Sequence, residues 1–141
     1  MALNADLLRT SFDLVVKRND HVTGRFYDIL FERYPQAKAL FRRNSRAEQE
    51  KMLAEALAAV LDHLDDASWL GATLVALGRK HVDYGVTTEM YGWVGASLLA
   101  TLAEVAGPDW TPELESAWTE AYGAISGLML KGAEPSYELA S

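Results

Sequence analysis

The chain has no cysteine, which removes disulfides, thiolate metal sites and thiol nucleophiles together and fits a reducing compartment. It also lacks any concentration of positive charge. The 141 residues carry a formal net charge of -7, and the densest basic spot, Arg42-Arg43 with Arg46, is followed at once by Glu48 and Glu50. A surface of that sign is repelled by phosphate backbones and anionic lipid, so neither nucleic acid nor a membrane is expected as a partner. No apolar run approaches bilayer-spanning length, and Asp6 sits where a signal peptide would carry positive charge. A cytoplasmic location follows as the expectation. Strand-like alternation is missing, and with it any glycine-rich loop after a strand. There is no HExxH motif, the three histidines are far apart, and Ser45, Ser97 and Ser116 have no nucleophile elbow around them. Hydrolytic and nucleotide chemistry have no support.

What remains is an ordinary globular composition, 50% hydrophobic and 23% charged, at the length of one domain. Residues 1–141 are expected to form it, with a helical core at about 4–131 and a short C-terminal tail. Apolar spacing near 3.6 predicts the helices. Asn4 caps a first one with Leu7, Leu8, Phe12, Val15 and Val16 inward, ending around Arg18-Asn19-Asp20. A second carries Val22, Phe26, Ile29, Leu30 and Arg33. Pro35 breaks it and opens a short third helix ending at Phe41. After a loop at Arg42 to Asn44, Ser45-x-x-Glu48 is a capping box for a long helix to about Leu64. In it Gln49, Leu53 and Leu57 share one row, flanked by Met52, Ala56 and Val60. Asp65 to Ser68 is the next break.

A helix from about Trp69 closes on Leu77-Gly78-Arg79-Lys80-His81, with Gly85 as its stop. Thr87 or Thr88 caps the next, to about Ala106, whose Gly92, Gly95, Ala96 and Ser97 suit close helix approach. Thr111-Pro112-Glu113 starts the last, which fades at Lys131-Gly132. The class is all-α, with about seven helices. His81 shares a face with Leu74 and Leu77, so its imidazole is either a satisfied core group or a ligand aimed into the core. His21 reads as exposed, and His63 as a helix-end cation. The candidates for chemistry are the inward polar residues His81, Tyr27, Gln49 and Tyr91.

Those four stand in an order that resembles the globin family, in particular bacterial single-domain globins and the globin domains of flavohaemoglobins. The resemblance runs from about Leu7 to Leu130. It is carried by Phe26-Tyr27-Asp28-Ile29-Leu30-Phe31, Pro35 to Phe41, Gln49 to Ala59 and Leu77-Gly78-Arg79-Lys80-His81. Tyr91-x-x-Val94-Gly95-x-x-Leu98-Leu99-Ala100-Thr101-Leu102 and Ala117-Trp118-x-x-Ala121-Tyr122-Gly123 complete it.

The resemblance implies a globin fold around haem b (iron protoporphyrin IX), with His81 as the proximal iron ligand. The second ring nitrogen would donate to a carbonyl near Leu77, and Tyr91 would assist with a glutamate. For that glutamate a gap-free count gives Pro135, with Glu134 beside it. On the distal side the resemblance implies Tyr27 and Gln49; Lys51, the gap-free alternative to Gln49, points about 200° away on the helix. Phe41 would pack on the porphyrin, Leu53, Leu57, Val86 and Val94 would line the pocket, and Lys80 with Arg79 would face the propionates. The implied function is reversible oxygen binding for storage or transport at a pentacoordinate iron, by a monomer or homodimer. Nitric oxide and carbon monoxide are the other implied gas ligands. The alternatives are a nitric oxide dioxygenase fed by a separate reductase, a gas sensor, or a haem-free helical domain.

Overall fold

Asn4 sets the start of the first helix, its side chain accepting from the Leu7 N–H at 3.1 Å. Residues 4–41 and 44–134 are described in the computed structural model of the chain. Arg42, Arg43 and Pro135 lie outside them. Helix α1 spans Ala5–Arg18, α2 Val22–Arg33, α3 Arg46–Asp62, α4 Ala67–Asp83, α5 Thr88–Ala106 and α6 Pro112–Ala133. A 3-10 helix, Pro35–Phe41, joins α2 to α3, and a single 3-10 turn at Gly107–Asp109 precedes α6. No strand occurs among the described residues, and no helix there is long and apolar enough to cross a membrane.

Local chemistry accounts for the helix starts. Ser45 Oγ accepts from the Glu48 N–H at 3.2 Å and Glu48 Oε1 reaches back to the Ser45 N–H at 3.5 Å. Thr111 Oγ1 accepts from Leu114 N–H at 3.2 Å beside Pro112. Asp66, read as part of a break, caps α4 by accepting from the Trp69 N–H at 3.0 Å, so the helix starts at Ala67. Gly85, with φ +87°, takes the left-handed conformation that ends α4.

The core falls into three clusters. One joins α1, α5 and α6 through Leu8, Val15, Leu102, Ala106, Trp118 and Ala121. It contains a polar tie, since Trp118 Nε1–H donates to Ser11 Oγ at 2.9 Å. The second gathers Phe26, Tyr27, Leu30 and Ala37 with Phe31, Phe41, Leu53 and Val94. The third gathers Leu74, Tyr91 and Met129 with Leu77, Val86 and Ile125. Helix α5 links the last two. Tyr91 belongs to the third cluster while Val94 and Leu98, three and seven residues on, pack on the second, so one face of the helix serves both.

The closest helix pair is α4 with α6. A Cβ on Gly78 would collide with the Met129 carbonyl, and one on Gly132 with the Val75 carbonyl. Two glycines 54 positions apart therefore let the backbones touch. Gly95 likewise admits the Tyr122 ring, 2.6 Å from where its Cβ would stand. Gly92, expected to share that role, faces open space. Two other expectations fail on packing. Val16 is exposed because α1 buries the stripe Leu8, Ser11 and Val15, and Val16 lies about 100° off it. Met52 is exposed because α3 turns the Leu53 and Leu57 row toward its neighbours and leaves the Met52 flank of that row to solvent. Arg33 also points to solvent.

Candidate functional site

Tyr27 sits in the middle of α2 with only 3% of its surface exposed. Phe26, Phe31 and Phe41 surround its ring at centroid distances of 5.0, 5.9 and 5.4 Å. The 3-10 helix delivers Phe41 to that position, and Phe31 and Phe41 meet edge-on at 5.7 Å. Gln49, in the first turn of α3, donates from Nε2 to the Tyr27 hydroxyl oxygen at 3.2 Å. The direction of that bond matters. The amide supplies the proton, so the phenol's own O–H is left to donate elsewhere. Burial pushes the Tyr27 hydroxyl above its ordinary pKa, against the Gln49 bond and the Arg46 charge, so it stays protonated at neutral pH. Lys51 is exposed and lies 3.9 Å from Glu55, away from Tyr27. Of the two alternatives, Gln49 meets the tyrosine.

His81 sits near the end of α4, half-buried. Its Nδ1 lies 2.8 Å from the Leu77 carbonyl oxygen. A carbonyl only accepts, so Nδ1 carries the proton and Nε2 keeps a free lone pair. Burial lowers the imidazole pKa, partly opposed by the Leu77 bond, and favours the neutral ring. Tyr91, the first inward residue of α5, has its ring centroid 6.3 Å from that of His81. Its hydroxyl is buried and has no hydrogen-bond partner among the described residues. Glu134 is exposed at the end of α6 and makes no bond to it. The Tyr91 carbonyl is held instead, accepting from the Tyr122 hydroxyl at 2.6 Å. Burial raises the Tyr122 pKa.

Half-buried apolar side chains pack on both clusters: Phe41, Leu53 and Val94 on that of Tyr27, Leu77 and Val86 on that of Tyr91. Leu57 is half-buried one turn beyond Leu53, and Lys80 is exposed beside His81. A haem needs an axial nitrogen with a free lone pair, apolar walls, and at most a few polar groups over the ring faces. The neutral His81, the apolar lining and the uncommitted Tyr27 proton fit those needs. No group of three or more His, Asp or Glu side chains among the described residues could hold a bare metal ion.

The other histidines are elsewhere. His21 is exposed at the start of α2, 3.2 Å from Asp20. His63 ends α3, with Nδ1 2.7 Å from the Ala59 carbonyl and its ring stacked on Trp69 at 3.8 Å. One residue near the site was not anticipated in any role: Arg46, whose guanidinium lies 5.5 Å from the Tyr27 ring centroid. The only sequence signal for it is Glu50, four residues on, which makes an i,i+4 pair.

Known proteins resemble this chain over most of its length. The flavohaemoprotein of Rhodopirellula baltica is 35% identical over 127 residues, covering 89% of the chain and 31% of the relative. The chain thus spans about a third of the length of the curated relatives it matches. Among solved structures, an engineered carbene transferase made from a candidate nitric oxide dioxygenase of Rhodothermus marinus superposes with a TM-score of 0.79. It is 33% identical, with 97% of this chain and 96% of that one covered. A bacterial globin of Campylobacter jejuni gives the same TM-score at 26% identity, covering 95% and 96%. The globin family profile matches residues 24–129, most of the chain, and the chain belongs to the globin family.

Proposed function

We propose that this globin binds haem b through His81 Nε2 and binds oxygen reversibly, for storage or transport, at a pentacoordinate iron. The observation that carries the reading is the bond between His81 Nδ1 and the Leu77 carbonyl at 2.8 Å. It fixes the tautomer, aims the ring and makes Nε2 the more basic donor. When bound, haem iron supplies the position at which a diatomic gas attaches. The chain supplies the rest. Phe41, Leu53, Leu57, Leu77, Val86 and Val94 form apolar walls that exclude water, and Lys80 offers a cation to the propionates. Tyr27 would donate a hydrogen bond from its free O–H to a gas held there, while Gln49 holds the hydroxyl oxygen in place. Oxygen gathers more negative charge than carbon monoxide, so this donor favours oxygen by roughly 1.5–3 kcal/mol. Tyr91 supports the His81 side without an acid partner.

A second reading, nitric oxide dioxygenase, is favoured by the flavohaemoprotein relatives and by the Rhodothermus marinus structure. In it the same site would join nitric oxide and oxygen as nitrate, with a separate flavin- or nicotinamide-dependent reductase supplying the one electron that each turnover needs.

The test has two parts. Purified protein shows a Soret band, and His81→Ala loses stable haem; unchanged haem content would sink the ligand assignment. Nitric oxide consumption is then followed over many turnovers, with and without reductase-containing extract. Sustained turnover assigns the dioxygenase, whereas a single equivalent consumed assigns the carrier.

A further inference from the structure

Arg46 begins α3, one turn before Gln49, and both side chains reach across to α2. Its Nε donates to Glu50 Oε2 at 2.6 Å. One terminal nitrogen donates both to Asp28 Oδ1 at 2.8 Å and to the Gly24 carbonyl at 2.6 Å. Asp28 follows Tyr27 in sequence and Gly24 lies one turn before it, so the two α2 contacts bracket the tyrosine. The guanidinium also lies over the Tyr27 and Phe31 rings, 5.5 and 5.9 Å from their centroids. Gly24 is part of the fit, since a Cβ there would stand 3.2 Å from Glu50 Oε1.

The Arg46 side chain is 43% exposed, so its ion pairs alone add little stability. Geometry is what the contacts provide. A planar fork that engages a carboxylate on its own helix, a carboxylate on the next and a main-chain carbonyl fixes the spacing of the two helices. The Gln49 to Tyr27 bond depends on that spacing. The far end of α3 is tied to α1, where Arg9 Nε donates to the Leu61 carbonyl at 2.8 Å.

We propose that Arg46 is a positioning residue that clamps the start of α3 onto α2 around Tyr27. It thereby sets how firmly Tyr27 holds a bound diatomic gas. The inference rests on the distal role given to Tyr27 above. Lysine is no substitute, because a point charge on a flexible stem cannot hold three acceptors in one plane.

The test uses the haem-loaded full chain with Arg46→Met and Arg46→Lys, each in the wild-type and Tyr27→Phe backgrounds. Oxygen dissociation is timed, and the Fe–CO stretching band is recorded as a spectroscopic report on distal hydrogen bonding. Amide hydrogen exchange is followed in α3 and α4 of the carbonmonoxy form. In the wild-type background Arg46→Met speeds oxygen release about fivefold and Arg46→Lys about threefold, with a shifted or split Fe–CO band. In the Tyr27→Phe background the same change adds less than about twofold, and exchange quickens in the first turns of α3 but not in α4.

Four results overturn the proposal. If Tyr27→Phe releases oxygen much faster while Arg46→Met matches wild type, the Arg46 role falls and the distal reading stands. Equal acceleration by Arg46→Met in both backgrounds, or faster exchange throughout the protein, shows a general structural role instead. If Tyr27→Phe itself changes nothing, the distal reading fails and takes this proposal with it.

Discussion

The two sides of the site are held by different means. Around Tyr27 the holding is done by side chains: the Gln49 amide, the Arg46 fork and three phenylalanines. Around His81 it is done by backbone. Its ring hangs on its own helix's Leu77 carbonyl, and that helix touches α6 where Gly78 and Gly132 bring main chains together. The polar accounts differ as well. Tyr27 is satisfied and still has a proton to give, whereas the buried Tyr91 hydroxyl has no partner among the described residues. A side held by side chains can be retuned by single substitutions. A side held by main-chain contact tolerates almost none.

The largest expected effect comes from breaking the backbone side. Gly132→Ala drives a Cβ into the Val75 carbonyl, so α4 and α6 must part, and urea unfolding should show a loss of about 3 kcal/mol. A loss under about 0.5 kcal/mol would mean the contact relaxes freely.

On the other side, Tyr27→Phe keeps the ring and removes the donor. Oxygen should then leave about 10- to 100-fold faster in stopped-flow measurements, as expected for a charge-assisted bond. A rate within about twofold of wild type would remove the distal role.

A smaller effect sharpens the contrast in polar accounts. Tyr91→Phe deletes a hydroxyl that bonds to none of the described residues, so unfolding free energy should stay within about 0.5 kcal/mol of wild type or rise. A loss above about 1 kcal/mol would show that the hydroxyl has a partner after all.

The smallest effect concerns pH in the haem-free protein. Burial holds the His81 pKa below its ordinary 6.5, so the folded chain takes up this proton at lower pH than the unfolded chain. The associated stability is whole above pH 6.5 and is lost as pH falls from there through the depressed folded value. Unfolding midpoints of wild type and His81→Gln should therefore draw together below that pH. A constant difference across the range would argue against a neutral buried ring.

Much of this was legible from local chemistry. Asn4, the Ser45–Glu48 box and Thr111-Pro112 each mark a helix start with groups that meet within one turn, so spacing alone finds them. Asp66 is legible only as part of a break, because two adjacent acids look the same whether they cap a helix or face solvent. The row Gln49, Leu53, Leu57 follows from helix period, but the exposure of Met52 depends on which neighbours α3 has. Gly78 and Gly132 carry no local mark. Their partners are the Met129 and Val75 carbonyls on the opposite helix, and nothing within a single window announces them. Arg46 was hidden for a related reason. In sequence it is a basic residue beside acids, and only the approach of α2 turns it into a tie to Gly24 and Asp28. The four polar candidates were placed in order by family resemblance, and periodicity by itself left His81 open.

The meeting of α4 and α6 at Gly78 and Gly132 also bears on the order in which the protein assembles. A main-chain interlock needs no cofactor and no long side chain to find its rotamer, so the half carrying His81 can close early and stay closed. Helix α3 depends instead on side chains, tied to α2 by Arg46 and Gln49 and to α1 by Arg9, each of which must find its rotamer first. The anchor for a flat guest is thus mounted on main chain, and the side that faces it on side chains that must settle into place.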